Sequence, residues 1–220
     1  MSAFISNIIH LFSQQLKLEW KSPFIIGGNL LYVIGAVFIT YKIFNEISAP
    51  VWVCVFWLIF LFTALNSTIH SFSREQSDSI LFYYSFTNPV VLYLSRVIFN
   101  FFFLMISAGL LSFFMGLFLR NPIVDHGLFF IAMVLSGLGF SIQFTFVSAI
   151  AVHTHQSNTM TSILGLPLII PILMTAVKLT LISAEVIIDD GSDIDIMILS
   201  AIDMIMFGIA VILFPSLWRS

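Results

Sequence analysis

Two ionisable residues, Lys178 and Asp203, lie deep inside long apolar segments of the sequence. A charge at the centre of a membrane-spanning helix costs about 2.5 to 3.5 kcal/mol on insertion scales, so each residue needs a compensating environment. Lys178 lies about two turns before one segment ends, and Asp203 lies about two turns after the next begins. Consecutive antiparallel helices bring such positions to similar depth, so the sequence predicts an ion pair. The alternative is a lysine that snorkels outward and an aspartate that faces a wet cavity.

A compact charged cluster, formed by Arg74, Glu75 and Asp78, separates two long apolar segments. Arg74 and Asp78 are four residues apart, which places both on one face of a helix. A short amphipathic helix in an inner loop is suited to dock a cytoplasmic partner, so we predict that this cluster couples the chain to one. The alternative is a solvated loop that rests on lipid headgroups.

Two prolines, Pro167 and Pro171, fall within a single apolar segment that reads LPLIIP around them. Each proline removes a backbone hydrogen bond and clashes with the preceding turn, so the helix is expected to kink or unwind there. Such a site is tolerated inside a bundle, where neighbouring helices satisfy the freed carbonyls. The prolines are therefore candidates for a hinge or a substrate-path element, and a static kink is the alternative.

Histidines are common metal ligands, and four of them lie near segment ends: His70, His153 and His155 toward the inner side, and His126 on the outer side. A metal site needs more ligands than the His-x-His pair supplies, and no Cys, Asp or third His lies beside that pair. The sequence predicts no metal site and leaves the roles of these histidines open.

The composition decides which solvent surrounds the chain. Hydrophobic residues make up 60% of the 220 and charged residues only 9%, with a mean hydropathy of +1.09. Soluble domains carry roughly 25% charged residues, so lipid must cover much of this surface. The net charge of −3 gives no basic surplus for phosphates, which makes nucleic acid an improbable partner. The class predicted is an all-α membrane protein.

Segments of about 20 apolar residues mark helices that can cross the bilayer. Six are predicted, after an amphipathic helix over 1–21 that either lies in the membrane interface or packs on protein. The predicted spans are 23–44, 50–69, 90–119, 128–152, 160–184 and 196–217. They leave no soluble domain of any size, so 1–220 is predicted to be a single membrane domain.

The distribution of Lys and Arg predicts the orientation. With both termini inside, the inner segments hold Lys17, Lys21, Arg74, Arg96 and Arg219, and the outer connections hold Lys42 and Arg120. This excess favours an N-in, C-in topology, with Arg96 at the headgroup end of its span. No G-x-x-x-x-G-K-[ST] loop is present, so any ATP hydrolysis is expected in a separate subunit.

Three stretches resemble the heme exporter protein B family, the CcmB subunit of cytochrome c maturation. They are Asp78-Ser79-Ile80-Leu81 after the charged cluster, the LGLPLIIP segment over 164–171, and Leu18-Glu19 before the first span. Length and six-span layout agree, so the resemblance covers nearly the whole chain. The chain departs from the family pattern at Ser79 and Phe82, where a glycine and a glutamate are expected.

The resemblance implies a non-catalytic permease subunit of an ABC-2 type transporter in a bacterial inner membrane. It implies a separate cytoplasmic ABC ATPase, further haem-handling membrane subunits, and a homodimer within the complex. Haem would be cargo rather than a bound cofactor, or ATP would drive release of a haem-loaded chaperone. An ABC-2 permease for a lipid, drug or polysaccharide is the alternative function. A membrane-embedded enzyme and a secondary transporter fit less well, because the sequence shows neither convergent catalytic groups nor repeated broken helices.

Overall fold

The computed structural model describes residues 11–12, 23–44, 46–73, 89–151, 157–188 and 191–219. Over these residues the chain forms six helices and no strand. They are α1 (Pro23–Ile43), α2 (Ala49–Ser73), α3 (Pro89–Phe118), α4 (His126–Ala151), α5 (Ser157–Ser183) and α6 (Ser192–Arg219). The ends differ from the predicted span boundaries by no more than four residues, as at 196 predicted and Ser192 observed.

Helices α2 to α6 are each long and apolar enough to cross a membrane. The apolar part of α1, Gly27–Ile43, is shorter. The all-α membrane fold is thereby confirmed, and the chain is a multi-pass membrane protein. The N-in, C-in orientation and the division into a single domain stay predictions.

Local sequence explains where the helices begin. Helix α1 starts at Pro23, a position at which the missing N–H of proline costs nothing because the first turn has no intrahelical acceptor. Helix α4 follows Asp125, whose Oδ1 accepts a hydrogen bond from the backbone N–H of Leu128 at 3.0 Å. The backbone N–H groups of Val124 and Asp125 donate to the carbonyl of Ser183 at 3.0 and 2.9 Å. The α3–α4 connection therefore lies beside the carboxyl end of α5.

Helix α4 is the centre of the bundle. Every residue from Gly139 to Ala149 is buried, and the helix packs most extensively on α5 and also on α6, α3 and α2. An aromatic ladder on α2, with Trp52, Phe56 and Phe60 four residues apart, forms stacked pairs along one helix face. Phe60 stacks in turn on Phe140 of α4, with ring centroids 5.5 Å apart. Large flat aromatic rings, mostly those of phenylalanine, fill this interface.

A second apolar cluster joins the amino-terminal half of α3 to α4 and α6. Residues 11–12 are helical and belong to this region: Leu11 is buried in the cluster, and Phe12 packs edge-on against Phe99 and Phe102 of α3. This part of the predicted amphipathic helix thus contacts protein. The remainder of 1–21 lies outside the described residues.

Candidate functional site in the membrane bundle

The prediction that Lys178 pairs with Asp203 is wrong, because Lys178 contacts a different aspartate. Its Nζ lies 2.8 Å from Oδ2 of Asp195 and donates a hydrogen bond to Oδ1 at 3.2 Å. Asp195 lies in the first turn of α6, where a carboxylate is also favoured by the helix dipole. Asp203 lies eight residues further along α6, about 12 Å deeper. The lysine side chain, 43% exposed, extends to the end of the helix pair instead of staying at the depth of its own Cα.

Asp203 lies on the buried stripe of α6 that faces α4. Its carboxyl group packs over Gly139, where a Cβ atom would collide with Oδ1 of Asp203 and lie 2.8 Å from Cδ1 of Ile172. Neither carboxyl oxygen has a hydrogen-bond partner within the described part of the chain. The absent side chain at position 139 thus lets α4, α5 and α6 meet closely around one polar group.

Helix α5 does not unwind at its prolines. The backbone is helical from Ser157 to Ser183 with Pro167 and Pro171 inside it. Both prolines lie on the exposed side, opposite a buried stripe that contains Gly165, Ile169 and Ile172. Pro171 has no N–H to donate, so the carbonyl of Pro167 has lost its usual partner on that exposed side. Their role as a hinge stays a prediction.

The charged cluster of Arg74, Glu75 and Asp78 lies outside the described residues, and so do His153 and His155. Of His70 the backbone alone is described, near the end of α2. His126 is exposed at the start of α4, with its ring Nδ1 3.1 Å from the carbonyl oxygen of Val124. Where the structure is described, no three His, Cys, Asp or Glu residues come together as metal ligands.

A buried polar group of residues joins the amino-terminal half of α3 to α4. Asn100 donates through Nδ2 to Oγ1 of Thr145 at 2.9 Å, and the Tyr93 hydroxyl donates to the carbonyl of Ile142 at 3.1 Å. Arg96 is buried beside them, and its place at the headgroup end stays a prediction. We missed this group in the sequence. The four-residue spacing of Arg96 and Asn100, which puts both on one helix face, was the available signal.

Polar contacts also hold α2 to α5 toward the carboxyl end of α5. The indole Nε1 of Trp57 donates to Oγ1 of Thr180 at 3.0 Å, and both residues are buried. The Thr180 hydroxyl donates in turn to the carbonyl of Ala176 at 2.8 Å. A hydrogen bond that crosses 123 residues of sequence fixes how these two helices pack, in a setting where hydrocarbon offers no competing partner.

Comparison with known protein families identifies the family to which the chain belongs. The family described as CcmB protein matches residues 6–217, which is nearly the whole chain. No curated protein matches the sequence. The match includes the stretch that carries the charged cluster, the proline-containing helix α5 and the polar group between α3 and α4. The chain therefore belongs to the CcmB family, heme exporter protein B, the membrane subunit of the haem exporter that serves cytochrome c maturation.

Proposed function

We propose that this chain is the non-catalytic permease of an ATP-driven exporter in a bacterial inner membrane, with a separate cytoplasmic ABC ATPase. The observation that carries the proposal is the family match over residues 6–217, together with five long apolar helices in the described part of the chain. CcmB proteins belong to an ABC haem exporter complex that contains an ATPase and other Ccm subunits. The bundle would have two conformations that differ in affinity for the ATPase. Nucleotide-driven closure of the ATPase would then shift the population toward the conformation that the closed ATPase binds more tightly.

Helix α3 is suited to transmit that motion. Its 30 residues extend about 45 Å, which exceeds the roughly 30 Å hydrocarbon core. Its end at Pro89 joins the stretch that contains Arg74, Glu75 and Asp78. The Asn100–Thr145 and Tyr93–Ile142 hydrogen bonds attach α3 to the central helix α4. A push on the charged cluster would therefore reach α4 through one rigid element.

Haem is proposed as cargo rather than as a resident cofactor. The support for this is the family, which serves haem export. Release of a haem-loaded chaperone would use the same coupling without passage of haem through this subunit. Loss of c-type cytochromes is expected in either case.

We also propose that two copies of the chain meet along the proline-containing face of α5. Leu166, Leu168 and Ile170 are exposed there beside Pro167 and Pro171. The carbonyl freed by Pro171 needs a polar partner that lipid tails cannot supply, whereas protein or a water-lined cavity can. Leu168→Cys in a Cys54→Ala background should form a disulfide-linked dimer, and Ile205→Cys on the exposed face of α6 should not.

Deletion of the gene tests the function directly. We expect c-type cytochromes, measured by haem staining, to disappear and to return when the chain is supplied in trans. Unchanged cytochromes with a defect in another exported lipid, drug or polysaccharide would instead support the alternative cargo.

Substitution of the charged cluster tests the coupling. Arg74→Ala with Glu75→Ala and Asp78→Ala should abolish co-purification of the ATPase and lower cytochrome levels. Lys42→Ala with Arg120→Ala, at the opposite end of the bundle, is the matched control and should leave both unchanged. Normal ATPase association in the triple variant would contradict the docking role of the cluster.

A further inference from the structure

The connection between α5 and α6 exposes three consecutive β-branched apolar residues. Val186, Ile187 and Ile188 follow the end of α5, and all three are exposed, Ile188 to 98%. Contiguous apolar surface of this kind in a polar connection marks sites that another molecule covers. We call these residues, with the exposed acidic residues Glu185 and Asp193, the α5–α6 surface.

The backbone that presents this surface has a defined conformation. Glu185 has a positive φ of 54°, a left-handed conformation that is uncommon for residues other than glycine. Its N–H donates to the carbonyl of Ile182 at 2.9 Å, and the N–H of Val186 donates to that of Leu181 at 3.0 Å. These bonds close the end of α5 in the manner of a helix cap. The apolar side chains are therefore held outward by a structured turn.

The ionisable residues of the segment that carries this surface are all acidic. The segment from 185 to 195 carries five acidic residues, Glu185, Asp189, Asp190, Asp193 and Asp195, and no basic residue. Lys178 pairs with Asp195, and Glu185 and Asp193 are exposed. An anionic membrane surface repels such a segment. A protein surface with Lys or Arg beside apolar side chains complements both features.

The position of the surface excludes the ATPase as its occupant. Val124 and Asp125 of the α3–α4 connection bond to Ser183, so these two connections share one end of the bundle. The charged cluster at 74–78 precedes the opposite end of the 30-residue helix α3. A partner at the α5–α6 surface must therefore approach from the other side of the membrane.

We propose that the α5–α6 surface docks a protein segment that combines apolar side chains with Lys or Arg, on the side of the membrane opposite the ATPase. The proposal rests on the proposed function in two respects, because the side assigned to the surface follows from the proposed docking of the ATPase at 74–78, and the assembled exporter complex is where the partner is sought. The apolar residues supply contact area at the centre, and the acidic residues select a cationic rim.

Photo-crosslinking in the assembled complex tests the proposal. A photoreactive residue at position 188 should give a discrete product with one membrane or extracytoplasmic protein, attached within a segment that contains Lys or Arg. Glu185→Lys with Asp193→Lys should lower the yield at least about tenfold, as should added salt. The same residue at position 43 is the control, since Ile43 is 67% exposed at the end of α1 that leads toward α2 and follows Lys42. Equal products at both positions would overturn the proposal.

Two substitutions separate a protein partner from lipid. Ile188→Ser should reduce cytochrome c output while ATPase co-purification stays normal, and Ile43→Ser should change neither. A protein pocket shaped for isoleucine should also reject Ile188→Trp, whereas a residue inserted among headgroups should accept tryptophan readily. Wild-type output from Ile188→Trp with loss in Ile188→Ser would identify the membrane as the occupant and refute docking. If the deletion strain retains its c-type cytochromes, the proposed function fails, and the crosslink at 188 still tests the surface.

Discussion

At the scale of single residues, Gly139 has the most restrictive environment among the described glycines. The carboxyl group of Asp203 and the side chain of Ile172 occupy the volume that any larger residue at 139 would need. Protein interiors are close-packed, so even one added methyl group forces its neighbours to move. The contact joins the three helices α4, α5 and α6 at one point.

Gly139→Ala is therefore expected to destabilise the bundle by about 1 to 3 kcal/mol, as overpacking does. Addition of Asp203→Ala removes the atom in collision and should restore part of the loss, which thermal unfolding in detergent would measure. Gly109→Ala is the matched control, because nothing lies within 4 Å of the position its Cβ would take. Purely additive effects of the two substitutions would show that the carboxyl group is not the obstacle.

A double-mutant cycle should assign the partner of Lys178. The lysine is 43% exposed, so its pair with Asp195 is screened and is expected to contribute no more than about 1 kcal/mol of coupling. Coupling between Lys178→Ala and Asp203→Ala should be close to zero. Unfolding free energies of the single and double variants give both values, and a larger coupling with Asp203 would contradict the geometry.

Sequence identified Lys178 and Asp203 as residues that need an explanation, but not which atoms they contact. Depth along a helix follows from residue number, whereas the direction of a long side chain depends on its rotamer and on free space. Lys178 uses its four-carbon chain to reach Asp195, and a depth argument places it beside Asp203 instead. Arg96 shows a related limit, because its position near a segment end does not reveal that other helices bury it.

At the scale of the helices, the apolar runs alone predict the ends of all six to within four residues. Bilayer thickness explains this success, because it fixes the number of apolar residues that a span requires. Helix α5 shows what length cannot predict. Its backbone stays helical through both prolines. Both lie on the exposed face of α5, away from the buried residues that pack against other helices.

Replacement of Pro171 tests whether α5 bends during the cycle. Pro171→Ala restores an N–H for the carbonyl of Pro167, so we expect equal or higher thermal stability of the protein. If the proline is a hinge, cytochrome c output should nevertheless fall. Pro215→Ala in α6 is the control, since that proline also lies inside a helix. Normal output from Pro171→Ala would indicate a static feature.

At the scale of the whole molecule, consecutive antiparallel spans predict that the connections alternate between two opposite ends of the bundle. The predicted N-in orientation places the α1–α2, α3–α4 and α5–α6 connections outside. In a Cys54→Ala background, cysteines at 124 and 188 should react with a membrane-impermeant maleimide in intact cells, and a cysteine at 75 should react only after lysis. The reverse pattern would invert the topology and the side assigned to the α5–α6 surface.

The burial of α4 on every side over 139–149 also bears on how the helix enters the membrane. Among the five long apolar helices its most apolar stretch is the least hydrophobic, because Ser141, Gln143 and Thr145 interrupt it. A nascent helix of this kind has a less favourable free energy of transfer from the translocon into lipid than the more apolar helices. Asn100 of α3, synthesised earlier, offers Thr145 a hydrogen bond as α4 emerges. We expect α3 and α4 to enter the bilayer as a hairpin, so that deletion of α3 would leave α4 poorly integrated.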